Sequence, residues 1–166
     1  MGITCCCVTE PMFDTANYID IIAIIVNVIL TVWIVFVIQD RSNNKRILKD
    51  HYINEIKELK NDYKTYLTNL YNCKVSPKNI IPWFKLMNIK VTDIMEEINS
   101  IYKIDKDTLG PYQNELRDLL TDNEDFNNQF NDEKLNLSST SKNSLIKFQQ
   151  EKNKLFNQII LKINNS

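Results

Sequence analysis

The residues able to do chemistry in this sequence are few, and their spacing does not suit catalysis. His51 is the one histidine. It falls mid-helix beside an apolar seam, with no carboxylate or cysteine set to relay a proton, which fits a structural or exposed ring. Cys5, Cys6 and Cys7 are consecutive, whereas metal fingers need cysteine pairs held apart by short spacers. Phosphate-cradling loops need several glycines, and Gly2 and Gly110 are the only two. No Ser-His or Cys-His arrangement is present to activate a nucleophile. The expectation is a protein that is not an enzyme and needs no cofactor.

What remains is polar chemistry in apolar surroundings. Ile21–Ile38 is a run of eighteen residues without a charge. As a helix it rises about 27 Å, close to the hydrocarbon thickness of a bilayer. Tyr18 and Trp33 stand toward its edges, where interfacial aromatics are favoured. Asn27 and Thr31 interrupt the run on one helix face, Asp20 precedes them on nearly the same face, and Ile34 and Ile38 continue it. A lone helix would expose the Asn27 amide to hydrocarbon, which is costly. Association of copies hides it, so a homo-oligomer is expected. Two readings fit the stripe. Asn27 and Thr31 are either interhelical hydrogen-bond glue, or the lining of a narrow pore with an Asp20 ring favouring cations and isoleucines forming an apolar constriction.

The flanks orient the span. Residues 1–20 carry Glu10, Asp14 and Asp20 without a base, and residues 40–49 carry Arg41, Lys45, Arg46 and Lys49 against Asp40. The positive-inside rule then assigns residues 1–18 to a short extracytoplasmic tail, 19–39 to the transmembrane helix and 40–166 to a cytoplasmic domain of the inner (cell) membrane. The acidic start and the lack of a small-residue cleavage site argue against a signal peptide. Met1-Gly2 followed by cysteines hints at acylation, but Cys6 stands where myristoylation wants Ser or Thr. Outside the cell, Cys5–Cys7 are free, lipidated or disulfide-bonded to other subunits. Cys73 is expected to be a reduced structural thiol.

The rest of the chain must supply helices. Two glycines and four prolines leave too few tight turns for a barrel or sandwich, and no strand pattern appears; the fold class is all-α. Its abundant Asn, Ile and Lys reflect an AT-rich genome more than a mechanism. From Arg41 to about Asn72, Leu48, Tyr52, Ile56, Leu59, Tyr63, Tyr66 and Leu70 recur every three or four residues, a seam for a helix of this chain or of an oligomer partner. Ser76-Pro77 opens a second helix, in which Pro82 is expected to kink or divide the first turn. Asp107, Gly110 and Pro111 mark a break. A third helix follows and fades into an Asn/Asp-rich stretch, and Ser138–Ser141 caps a single last helix. About four amphipathic helices of this kind fill a bundle-sized core.

Two further groups suggest partners. Trp83, Phe84 and Lys85, with Lys142, Lys147, Lys152 and Lys154, form a set able to stack on and pair with a nucleotide or oligonucleotide; the competing reading makes the aromatics core residues or membrane-surface anchors. Residues 105–133 hold nine acids and two bases, and residues 134–166 hold six lysines and one acid. Such blocks either lie against each other, within or between subunits, or are solvated faces of separate helices.

This layout of a short outer tail, the span Ile21–Ile38, the basic Arg41–Lys49 flank and a compact helical domain resembles the small membrane effectors of bacterial antiviral defence. The Hailong channel effectors and the membrane effectors of type III CRISPR loci are the families meant. The resemblance lies in architecture over the whole chain, with no shared motif. It implies a homo-oligomer, such as a tetramer, held closed in the lipid bilayer. A nucleotide or oligonucleotide signal, or the enzyme that makes it, would then open it. A non-conducting anchor that recruits a cytoplasmic partner through the Leu48–Leu70 seam is the alternative.

Overall fold

The computed structural model describes residues 15–166, with side chains from Tyr18 onward. Among these residues the fold is all-α: α1 (Thr15–Tyr71), α2 (Ile80–Tyr102), α3 (Gly110–Thr121), α4 (Glu124–Asn128), α5 (Ser139–Lys152) and α6 (Lys154–Asn165). One-turn 3₁₀ helices at Pro77–Asn79 and Lys106–Leu109 lead into α2 and α3. The chain divides into two units between Arg46 and Ile47, so α1 contributes to both. The Cys5–Cys7 triplet, Glu10 and Asp14 lie outside the described residues.

The unit from Ile47 onward is a helical domain around one core. The face of α1 that carries Tyr52, Ile56, Leu59, Tyr63, Tyr66 and Leu70 is buried in it, together with Phe84, Met87, Val91, Met95 and Ile98 of α2 and Phe156, Ile159 and Ile163 of α6. At ~1.5–3 kcal/mol for each fully buried large side chain, this core is the main force holding the domain together. Polar contacts fix the flanks. The Tyr52 hydroxyl donates to Glu97 at 3.1 Å, and Lys90 spans Glu58 at 2.9 Å and Asp62 at 2.8 Å. Hydrogen bonds to Asp62 and then Glu58 raise the Lys90 ammonium above its ordinary range. On the other flank Lys60 donates to Asn157 at 3.1 Å.

Chain reversals follow from local backbone chemistry. After Tyr71, Cys73 takes a left-handed conformation (φ 55°). Its N–H bonds to Leu70 O at 3.0 Å and that of Lys74 to Asn69 O at 2.9 Å, the paired bonds of a Schellman motif. Lys103 (φ 57°) ends α2 with a simpler left-handed cap, its N–H bonding to Asn99 O at 3.0 Å, and Asn99 Nδ2 secures the turn by donating to Ile104 O at 2.8 Å.

Several expectations are corrected here. Pro82 does not kink α2: it stands in the first turn, where a backbone N–H has no helical partner to lose. The break marked by Asp107, Gly110 and Pro111 is present between Tyr102 and Gly110, and Gly110-Pro111 open α3. The single last helix is two, α5 and α6, joined at Asn153. The Asn/Asp-rich stretch is built into the core. Phe126, Leu135 and Leu137 are buried, Leu135 N–H bonds to Val75 O at 2.9 Å, and Gln129 clamps both backbone groups of Asn136.

Candidate functional site

Between Ile21 and Ile38, α1 carries apolar residues on every side, and none of its most apolar window is buried. Ile22, Ile24, Ile25 and Leu30 point to different sides of the helix, yet all are exposed. A helix in water restricts its apolar residues to one stripe. Leaving every side of this one in water would cost on the order of tens of kcal/mol. It is the one helix among the described residues long and apolar enough to cross a membrane.

Within that surface the two polar residues differ in what they need. Thr31 Oγ1 donates to Asn27 O at 2.7 Å along the helix, so the hydroxyl is satisfied without a neighbour. The Asn27 side chain makes no hydrogen bond among the described residues. Both are exposed, as are Asp20, Ile34 and Ile38. Thus α1 brings the five residues of the predicted stripe onto one face, and one amide on that face lacks a partner.

Of the two readings of the Leu48–Leu70 seam, packing within this chain is the one observed. Tyr52, Ile56, Leu59 and Tyr63 are buried within their own chain, Ile56 and Leu59 with no exposed surface. Their partners are α2, α3 and α6: Tyr63 packs edge-on against Trp83 and Tyr112 and tilts against Phe156. Only Leu48 stays exposed. The heptad-like pattern is therefore used up inside the domain, and a recruiting surface made of it does not exist. His51 is exposed and lies against the Tyr52 ring at 5.0 Å.

Of the two readings of the stacking set, aromatics in the core is the one observed. The face of Trp83 is taken by Tyr66, whose ring lies parallel at 3.6 Å, and Phe84 is buried with its edge to the same pair. Lys147 is exposed on α5, 4.0 Å from Glu151, and Lys142 sits over the Tyr71 ring. The opposed charge blocks meet in the Lys152–Glu115 ion pair at 2.7 Å, where α5 packs on α3. Lys154 is exposed on α6, and Lys85 lines open space beside α2.

That space is a cleft of about 490 Å³ between α2 and α3. Ile81, Phe84 and Ile89 form its apolar wall, and Lys85, Asn88, Gln113, Asn114 and Arg117 supply its polar groups. The spacings Ile81-Lys85-Ile89 and Gln113-Arg117 place these residues on facing helix surfaces. Gln113 is the buried member, 5% exposed; its Nε2 donates to Phe84 O at 3.1 Å, and its Oε1 meets no donor. Of this site the sequence pointed to Phe84 and Lys85. The α3 contributors lie some thirty positions away in an acidic segment, and no local signal marks them.

Comparison with protein-family models, with curated proteins and with solved structures finds no match.

Proposed function

We propose that this protein is a homo-oligomeric, single-span membrane effector in which α1 helices surround a narrow, cation-favouring path, opened by a signal sensed in the helical domain. The observation that carries this reading is the uncovered apolar surface of α1 with one unpartnered amide on it. Lipid satisfies every side of such a helix except the face of Asn27. An unbonded amide in hydrocarbon costs ~2–7 kcal/mol, and an interhelical hydrogen bond recovers ~0.6–2 kcal/mol of that. Copies therefore turn Asn27 inward.

Asp20 then lies one turn-pair outside Asn27, about 10 Å along the axis, where a ring of carboxylates concentrates cations. Ile34 and Ile38 lie at the other end and close the path by excluding water. Acids ahead of the span and the Arg41, Lys45 and Arg46 cluster behind it set the domain in the cytoplasm by the positive-inside rule. The setting in antiphage defence, with a nucleotide or oligonucleotide signal, or the enzyme that makes it, as partner, comes from the architectural resemblance. A non-conducting anchor is the alternative. With the α1 seam buried, its recruiting surface would have to be elsewhere, for example the exposed Leu86 and Ile89 of α2.

Purified protein in potassium-loaded liposomes tests the reading. Ion release that changes at least several-fold in Asn27→Leu is expected. A release unchanged by that substitution removes Asn27 from the mechanism. Stable oligomers that release no ions with any candidate activator favour the anchor.

A further inference from the structure

The α2–α3 cleft brings together several features of a ligand site. It has the volume of a small-molecule site. It presents two cationic side chains and no carboxylate among its lining residues. Lys85, Asn88 and Asn114 are uncommitted, with no hydrogen bond or ion pair to the protein among the described residues. Arg117 uses Nε and Nη2 on Asp118 at 3.0 and 2.8 Å, which leaves N–H donors of its five free for a second acceptor. The buried floor is polar and half satisfied, because Gln113 Oε1 has no donor while Nε2 is held by Phe84 O. Buried polar atoms of native proteins are almost always bonded, and leaving one bare costs ~1–3 kcal/mol. A domain that bonds the side chains of Asn99, Gln129 and Ser141 leaves this acceptor unpaired beneath the cleft.

The geometry points to the cleft as a binding site for a small organic anion. The ligand is a phosphate or carboxylate carried on a flat apolar body that bears an N–H or O–H donor. The anion takes Lys85 and Arg117, which approach from opposite walls. The flat body lies along Ile81, Phe84 and Ile89, and Asn88 and Asn114 trim its polar edge. The donor reaches toward Gln113 at the floor. Because every lining residue belongs to the helical domain, binding here is independent of whether α1 conducts.

The test is calorimetric titration of the full chain in nanodiscs with indoxyl phosphate, which combines a phosphate, a flat apolar body and one N–H donor. Inorganic phosphate and indole serve as its two halves. Saturable binding at one site per chain is expected, at least tenfold tighter than either half. Lys85→Gln and Arg117→Gln should each weaken it at least tenfold, and Arg41→Gln should leave it unchanged. Both substituted side chains are on the surface, so helical content by circular dichroism should match the parent. Absence of saturable binding overturns the proposal, and so does binding that survives both cleft substitutions.

Discussion

Removing two hydroxyl groups from the centre of the domain should stabilise it. Tyr63 is 2% exposed and Tyr66 7%, and neither hydroxyl has a hydrogen-bond partner. Burial pushes both phenols well above their ordinary range, as it must when the ionised form has neither water nor a donor. Each orphan hydroxyl costs ~1–3 kcal/mol of desolvation. Phenylalanine keeps the ring contacts, including the stack of residue 66 on Trp83, and discards that cost. Leaving behind a small void offsets part of the gain, so Tyr63→Phe and Tyr66→Phe should each raise stability by about 0.5–1 kcal/mol. For a domain of this size that corresponds to about 2–5 °C in Tm. Tyr112→Phe is the control, because the Tyr112 hydroxyl accepts from Gln149 at 2.9 Å. It should lose about 0.5–1.5 kcal/mol. The assay is thermal unfolding of the full chain in micelles followed by tryptophan fluorescence, since Trp83 lies between both tyrosines. Both residues touch Trp83, so the double variant is needed to measure their coupling. A loss of 1 kcal/mol or more in either single variant, matching Tyr112→Phe, would refute the reasoning.

Two other perturbations follow from the same contacts. Cys73→Gly relieves a left-handed backbone that costs an L-residue ~1–2 kcal/mol. Unfolding in urea should show a gain of about 0.5–1 kcal/mol; a loss would mean that the half-buried thiol matters more than the backbone. Asp125 Oδ2 accepts from the Ser141 hydroxyl at 2.7 Å and from Ser138 N–H at 2.8 Å, and these bonds, Ser141 first, hold its carboxyl below the usual aspartate range. Its contribution is therefore present above the unfolded-state value of ~3.9 and is lost as pH falls through the lower folded value. Asp125→Asn should cost about 0.5–1 kcal/mol at neutral pH. Its stability curve should converge on that of the parent under acid, and parallel curves down to pH 2–3 (~1–2 units below ~3.9) would contradict the assignment.

Features of the chain that depend on spacing alone were legible in the sequence. The charge-free run, the stripe from Asp20 to Ile38 and the buried face from Tyr52 to Leu70 all follow from a 3.6-residue period. That period says which face is buried, not what buries it, so it leaves open the choice between a helix of this chain and one of a partner, and α2, α3 and α6 fill the seam. The Trp83-Phe84-Lys85 tripeptide leaves two readings open, core aromatics or a stacking set, and the core reading holds because neighbours in sequence leave a helix 100° apart. Two of these side chains enter an aromatic core while the third looks into the cleft. Leu135 and Leu137 were hidden by the polar residues around them, because isolated apolar residues in a loop carry no period. Arg117 and Gln113 belong to the cleft only through the packing of α3 on α2, which is a tertiary fact.

In the proposed assembly, α1 helices of several copies meet through the face of Asn27. In a chain with its native cysteines replaced by serine, single cysteines placed along the span and oxidised in membranes test it directly. Asn27→Cys, Thr31→Cys and Ile34→Cys should crosslink copies efficiently, while Ile22→Cys, Ile29→Cys and Phe36→Cys on the opposite face should not, so that crosslinking rises and falls with the helical period. A maximum on the Ile29 face, or crosslinking without periodicity, would contradict the account.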